Sequence, residues 1–408
     1  MEEYNSNSGM LRGVIVGFLS AIVVFLAAIM CKEMFVEETE TTGDKIPVGE
    51  VSNMFSSTEE ILGLINNFYY YTDDDYFKDL ETGIYKGIIS TLDDKYAAYY
   101  SPEEWRQILQ DDQGVYYGIG VVVQQDVTTG EVIAVTPYEN GPGYAAGIRA
   151  GDRIIAVNGQ SILEMTLEES VSLIRGEEGT SVVVTIKRDG VTKDLTVTRA
   201  KIENQTIAYE MLEGNIGYVR ISAFEGVTAE QFANALTELQ KQGVKGYIFD
   251  VRSNGGGYYN TVVNMLDKLL PEGKIVYIED KNGKQDVEYS DAECIDLPMC
   301  VLVDEYTASA SEIFAGAIQD YKKGAIIGVQ TFGKGIVQNT YVLRSGGAVK
   351  FTIASYFTPN GRNIHGEGIT PDIKIELPKE ESAYKDGVLL REYDSQLNKA
   401  LEYLSTIE

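Results

Sequence analysis

The run Met299-Cys300-Val301-Leu302-Val303 has no polar side chain and reads as a buried strand. A short loop follows, then an amphipathic helix from about Ala310. The same alternation recurs through the second half of the chain. From Lys201 the pattern gives two strands, a helix over Thr228 to Gln242 and a strand over Gly246 to Val251. A glycine loop, a helix over Tyr258 to Leu270 and a strand over Lys274 to Glu279 come next. Past the Ala310 helix, strands are expected at Ala325 to Val329, Gly335 to Val342 and Ala348 to Tyr356. Strands alternating with helices imply an α/β (α+β) fold, a mixed sheet flanked by helices.

The junction between the Met299 strand and its helix carries Ser309. A serine at a helix N-terminus lies beside unpaired backbone N–H groups and the positive end of the helix dipole. Attack on a carbonyl creates an oxyanion, which such a position stabilises. The same residues also read as a capping box, with Glu312 three residues after Ser309. Downstream, Lys334 stands between Gly333 and Gly335, and Gln338 follows four residues later. A serine hydroxyl needs a base, and lysine serves only when neutral. Its ordinary pKa of about 10.4 must then fall through burial without a counter-charge. Glutamine can accept from the amine without restoring the ammonium. In an extended chain Lys334 and Gln338 point to one face. Gly255-Gly256-Gly257 follows a strand and precedes a helix; it is either a flexible turn or a source of oxyanion-binding N–H groups. Ser311 is the competing nucleophile.

Thr307-Ala308-Ser309-Ala310-Ser311-Glu312-Ile313, with Phe332-Gly333-Lys334-Gly335 and Gln338, resembles the Ser-Lys(-Gln) core of the carboxy-terminal processing peptidases, or tail-specific proteases. Phe249 to Gly257 is similar to that family's Asp-Leu-Arg-x-Asn-x-Gly-Gly segment, and Thr358 to Asp372 to its closing signature. The four blocks stand in the family's order. The resemblance implies Ser309 as nucleophile, Lys334 as base and Gln338 as its orienting partner. The backbone N–H groups of Ala310, Gly255 and Gly256 are then candidates for the oxyanion hole, and the Ser309 to Lys334 spacing is the family's. It also implies a ClpP/crotonase-like protease domain. One segment departs from the family: Asp94-Lys95-Tyr96-Ala97-Ala98-Tyr99 replaces Asp-Pro-Tyr-Ser-x-Tyr.

Between the helical start and this domain, Gly141 to Gly159 resembles the centre of a PDZ domain. Such a module holds a terminal carboxylate on the N–H groups of a glycine turn and adds the peptide to a strand edge. Gly118-Ile119-Gly120 is the candidate turn and Thr166 to Arg175 the candidate groove helix. Val171 and Ile174 either line the side-chain pocket, implying an apolar substrate C-terminus, or belong to the domain core. Arg175 is either a helix C-cap charge or a contact that reports peptide occupancy.

At 408 residues two or three domains are expected. The boundaries read as a short cytoplasmic tail (1–12), an anchor (13–31), a linker (32–57) and a helical region (58–112). A PDZ domain (113–200), a protease core (201–376) and a C-terminal helical region (377–408) follow. Gly13 to Cys31 has no charged residue and as a helix spans roughly 28 Å, the thickness of a bilayer core. No small-x-small cleavage site follows, so an uncleaved single-pass anchor is expected, with the catalytic part extracytoplasmic by resemblance. A net charge of −28 argues against a nucleic-acid partner. Of Cys31, Cys294 and Cys300, the last two could pair, but Cys300 begins an apolar strand and reads rather as a small hydrophobe. No metal spacing is present, and no cofactor is implied. His365 lies in a turn-rich stretch and reads as structural. The expectation is a membrane-anchored serine endopeptidase, a homodimer by family resemblance, acting on proteins or peptides with free apolar C-termini. The rivals are a regulatory protease with a single client and a catalytically silent PDZ scaffold.

Overall fold

The computed structural model describes residues 48–70, 79–112, 114–126, 129–385 and 388–407. Two compact units result, Met1–Phe77 and Lys78–Glu408. In the first, the helix Val48–Phe68 starts ten residues ahead of the expected start of the helical region. The apolar stripe through Ile61, Ile65 and Phe68 extends back through Met54 and Phe55, and period 3.6 carries the helix with it. The expected anchor, 13–31, lies outside the described residues. No described helix is long and apolar enough to cross a membrane.

In the second unit the expected helical region is only partly helical. Helices Leu80–Ser90 and Pro102–Asp112 flank a strand, Ala98–Tyr100. Ser101 and Glu104 close a capping box, with Glu104 N–H donating to Ser101 Oγ (3.3 Å) and Ser101 N–H to Glu104 Oε2 (2.7 Å). A two-stranded ribbon, Val115–Gly118 against Ala200–Glu203, frames the next module. Inside it lies a sheet ordered Val121–Gln125, Val132–Pro137, Arg153–Val157, Ser181–Arg188, Val191–Thr198. Val132, Ile154, Val184 and Ile186 fill its core with the helix Leu167–Ile174. That helix starts one residue after Thr166, which caps it in a complete box with Glu169.

The following sheet has six strands, ordered Ile207–Leu212, Ile216–Ile221, Gly246–Asp250, Met299–Val303, Gly324–Gly328, Ile373–Lys374. The first pair is antiparallel and the rest parallel. Met299–Val303 is buried throughout because both faces are covered. Alternation sorts its side chains: Met299, Val301 and Val303 join the core under the helices Thr228–Lys241, Tyr259–Asp267 and Ala310–Asp320. Cys300 and Leu302 pack instead against Leu397, Ala400 and Leu404 of the C-terminal helix Ser395–Ser405. Cys300 and Cys294 are free thiols, and burial pushes the Cys300 thiol far up.

The strands expected at Lys274 to Glu279, Gly335 to Val342 and Ala348 to Tyr356 do not extend this sheet. They form a second, antiparallel one, ordered Ala98–Tyr100, Ala348–Phe357, Gly273–Asp280, Gln285–Ser290, with Ile336–Val342 also paired to Ala348–Phe357. The segment Ala98–Tyr100 of the second unit therefore joins the sheet that follows Lys334.

Candidate active site

The parallel strands Gly246–Asp250 and Met299–Val303 end side by side, and the loops beyond their C-terminal ends meet. That is the usual place for a site in such a sheet. Asp304 joins them: its carboxylate accepts from Ser253 N–H and Oγ (2.9 Å each), Tyr306 N–H (3.1 Å) and Thr307 Oγ (3.0 Å). Asn254 crosses next. Its carbonyl accepts from Ala308 N–H (3.0 Å) and from Ser311 Oγ (2.9 Å). The Ser311 hydroxyl is fully buried and committed to that bond, which removes it as a nucleophile.

Ser309 is the last residue before the helix Ala310–Asp320, at φ 58° and ψ −119°. A side chain there is strained, at a cost of about 1–3 kcal/mol. Gly256 passes directly against it. A Cβ on Gly256 would stand 2.8 Å from Ser309 Cβ and 2.9 Å from Ala310 N, at a φ of +104°. Only glycine fits so close to Ser309.

Of the three candidate oxyanion donors, one is spent. The Gly256 N–H donates to Asn254 Oδ1 at 2.9 Å, because the Asn254 side chain folds back over its own turn. The N–H groups of Ala310 and Gly255 have no acceptor among the described residues. The loop is pinned from beneath by a buried network. Arg252 binds Asp250 through Nε and Nη2 (2.6–3.1 Å), Asp394 through both Nη (2.9 and 3.0 Å) and Gln396 (3.1 Å). Asp250 also accepts from Tyr218 Oη (2.6 Å) and Arg220 (2.9 Å). Burial raises the Asp250 carboxyl, but Arg252, Arg220 and the Tyr218 hydroxyl outweigh it and hold it below the usual carboxylate range.

Glu312 is the residue that joins the two motifs, and sequence reasoning recognised it only as a cap. Its side chain is fully buried. Oε2 accepts from Ser309 N–H (2.9 Å) and Lys334 N–H (2.8 Å); Oε1 accepts from Thr331 Oγ (2.6 Å) and Gly333 N–H (2.7 Å). One carboxylate thus clamps the backbones of Ser309 and Lys334 together. Tyr356 does the same from the other sheet, its hydroxyl lying 3.1 Å from the Ser309 carbonyl oxygen and 2.6 Å from that of Lys334. Burial pushes the Tyr356 phenol well up, so it stays a donor.

The Lys334 side chain is half-buried. Burial first, then the ammoniums of Lys350 and Lys95, lower its pKa, while Asp94 and Glu312 pull the other way. Its Nζ lies over the Tyr96 ring, 4.6 Å from the centroid. No hydrogen bond among the described residues joins it to the Ser309 hydroxyl or to Gln338. Gln338 Nε2 is 3.4 Å from Thr352 Oγ1, its cross-strand neighbour. The strand begins at Ile336, so the period-two relation between Lys334 and Gln338 does not run through the loop that holds the lysine. His365 lies where Gly335 passes: a Cβ on Gly335 would stand 2.5 Å from the His365 N. Its backbone shapes the lysine loop. Among the described residues no cluster of His, Cys, Asp or Glu could hold a metal ion.

In the other module the Ile119 and Gly120 N–H groups have no described acceptor, and Gly120 takes a φ of +65°. Gly118 belongs to the Val115–Gly118 strand and packs on Tyr116. Val121–Gln125 is an edge strand of its sheet. Val171 and Arg175 line a cavity of about 610 Å³ with Leu167, Tyr117 and Arg106. Ile174 does not; it is buried in the core. Residues three apart sit roughly 60° apart around a helix, enough to divide groove from core. Arg175 is the helix C-cap, and its guanidinium lies 5.0 Å from the Tyr116 ring centroid.

The family model for peptidase family S41 matches residues 215–375, and the PDZ domain model matches residues 133–188. The chain is 39% identical over 316 residues to the carboxy-terminal processing protease CtpA of Bacillus subtilis, covering 77% of this chain and 67% of that protein. It is 35% identical over 341 residues to the "Probable CtpA-like serine protease" of Staphylococcus saprophyticus, covering 81% and 69%. The solved structure of the photosystem II D1 C-terminal processing protease is similar over 80% of this chain and 92% of its own, at 32% identity and a TM-score of 0.46. The chain therefore belongs to peptidase family S41 and is a serine peptidase of the carboxy-terminal processing type.

Proposed function

We propose that this peptidase is a membrane-anchored endopeptidase that uses a Ser-Lys dyad to cut proteins near unstructured, apolar C-termini. Ser309 attacks the scissile carbonyl. Lys334 takes the hydroxyl proton and then gives it to the leaving amine; water later releases the acyl group from Ser309. The N–H groups of Ala310 and Gly255 receive the oxyanion. Gln338 turns its amide oxygen to the lysine amine. The observation that carries this reading is the Glu312 clamp, which brings the backbones of a strained helix-capping serine and a half-buried lysine onto one carboxylate oxygen. The lowered pKa of Lys334 supports its role as base.

The open edge at Val121–Gln125, the unspent N–H groups at Ile119 and Gly120, and Val171 in the cavity support capture of an apolar C-terminus by the PDZ module. The uncharged run 13–31 supports a single-pass anchor with the catalytic part outside the cytoplasm. Exposed Phe55, Ile61, Leu64 and Phe68 on the first-unit helix support a homodimer.

The test is cleavage of an unstructured protein ending in apolar residues, against the same protein ending in aspartates. Wild type is compared with Ser309→Ala, Lys334→Ala and Val171→Asp. Both dyad variants are expected to fold and not cut, and Val171→Asp to raise KM for the apolar tail alone. Cutting by Ser309→Ala means that another residue is the nucleophile. An unchanged KM in Val171→Asp removes the PDZ from substrate selection.

A further inference from the structure

We infer that Tyr96 is a resting dock for the Lys334 side chain, so that the base must leave an aromatic face before it can take the serine proton. The inference rests on the Ser309–Lys334 reading proposed above. Tyr96 is a positioning residue in it, acting through the lysine and not on the substrate.

The geometry is built, not incidental. Tyr96 comes from a turn far from the catalytic motifs in sequence, and Asp94 both holds that turn and ties it to the strand Ala348–Phe357. Asp94 Oδ1 accepts from Tyr96 N–H and Oδ2 from Thr352 N–H, at 2.9 Å each. Thr352 also holds the Gln338 amide through its hydroxyl. One strand residue therefore touches both the carboxylate that holds the Tyr96 turn and the glutamine. Nζ meets the ring, not the serine or the glutamine.

An aromatic face attracts an ammonium through its quadrupole and gives a neutral amine far less. The dock thus favours the form of Lys334 that cannot act as a base. The groups facing Nζ from other elements are the ammonium of Lys350 on the strand Ala348–Phe357, the carboxylate of Glu312 on the helix, and Asp94 and Lys95 of the turn itself. Lys95 opposes the dock. Its Nζ lies 4.9 Å from the same ring centroid, competing for the ring and repelling a second ammonium. It stands where the family segment has proline, which carries no charge. Tyr96 and Lys95 therefore act on one lysine with opposite signs. The turn also borders a cavity of about 950 Å³, lined by Leu92, Tyr96, Ile336, Phe351 and His365. A substrate side chain entering there would meet the ring that holds the lysine.

The experiment follows kcat/KM against pH for wild type, Tyr96→Leu, Tyr96→Phe and Lys95→Gln, with Lys334→Ala alongside. Activity rises as Lys334 loses its proton. Tyr96→Leu is expected to move the midpoint of that rise down by about 0.4–0.7 pH unit, a gain of about 2.5- to fivefold at pH values below it. Tyr96→Phe keeps the ring and stays near wild type. Lys95→Gln moves the midpoint up. Mere loosening of the turn would lower the rate at every pH and produce no opposed shifts. Shifts of the same sign, or none, with Lys334→Ala inactive, overturn the dock and leave the dyad standing. Cleavage by Lys334→Ala at the wild-type rate overturns the dyad. The dock is then decided by the pH dependence of Lys334 acylation, mapped by mass spectrometry, where an unmoved midpoint refutes it. Should Tyr96→Leu fail to fold, Tyr96→Met takes its place in both assays.

Discussion

Replacing Glu312 with glutamine separates what its carboxylate does for the fold from what it does for catalysis. Four donors converge on the two oxygens: Ser309 N–H, Lys334 N–H, Gly333 N–H and Thr331 Oγ–H. An amide has one oxygen. With its NH₂ toward Ser309 and Lys334, two backbone N–H groups would face a donor. Turned the other way, it leaves Gly333 N–H unmet, and the Thr331 hydroxyl must rotate although its oxygen already accepts from Ile369 N–H (2.6 Å). The second arrangement is cheaper and keeps Ser309 and Lys334 on one oxygen. One buried unmet N–H costs about 1–3 kcal/mol, and exchanging a charged acceptor for a neutral one on the two surviving bonds adds about 1–2 kcal/mol. Glu312→Gln is therefore expected to lose about 2–5 kcal/mol of stability while kcat stays within about tenfold. Glu312→Ala releases all four donors and unties serine from lysine, so its kcat is expected to collapse even where it remains folded. Urea unfolding and single-turnover cleavage, measured well below each midpoint, read the two quantities separately. Wild-type stability in Glu312→Gln, or wild-type kcat in folded Glu312→Ala, would refute the clamp.

Three further outcomes follow from the same geometry. Asp394→Ala strips the second carboxylate from buried Arg252, which is expected to cost about 3 kcal/mol and to lower kcat by loosening the loop that carries Gly255; a kcat equal to wild type would show that the C-terminal helix does not support the loop. Ser309→Gly and Ser309→Ala are both expected to be inactive, but glycine relieves the positive φ and should be the more stable by about 1 kcal/mol in urea unfolding; equal stabilities would mean that the backbone there is not strained. Asp250 binds its proton less readily folded than unfolded, so its contribution to stability is complete above the unfolded value of about 3.9 and is lost as pH falls through the depressed folded value; Asp250→Asn should flatten the acid limb of the stability profile, and an unchanged limb would assign it to other carboxylates.

The framework was legible because its strands are buried on both faces. An apolar run such as Met299–Val303 can be little else, and the helices between such runs carry their own stripes. What could not be read was pairing at a distance. Tyr-Ala-Ala-Tyr-Tyr has no strand signal of its own, and Ala98–Tyr100 becomes a strand only because Ala348–Phe357 offers an edge. Gln285–Ser290, with its charged residues, is likewise a strand by virtue of Gly273–Asp280.

The site divides in the same way. Ser309, Lys334 and the glycine loop stood out as local motifs. Their relation did not, because it passes through Glu312 and Tyr356. Glu312 sits in Ala310-Ser311-Glu312-Ile313-Phe314-Ala315-Gly316-Ala317, a stretch in which every residue is buried. A helix buried all round has no solvent face, so a carboxylate in it needs donors from other segments to offset its desolvation. That requirement was present in the sequence as a physical demand. A capping box meets only part of it, with one backbone N–H, and the rest calls for further donors. The structure supplies them from the segment Thr331 to Lys334, which is why serine and lysine meet. Tyr96 left no comparable trace, since a half-buried loop tyrosine carries no unmet demand. The antiparallel sheet alone brings its turn against the lysine, and that contact, which no local motif announces, is what makes the tyrosine visible as part of the site.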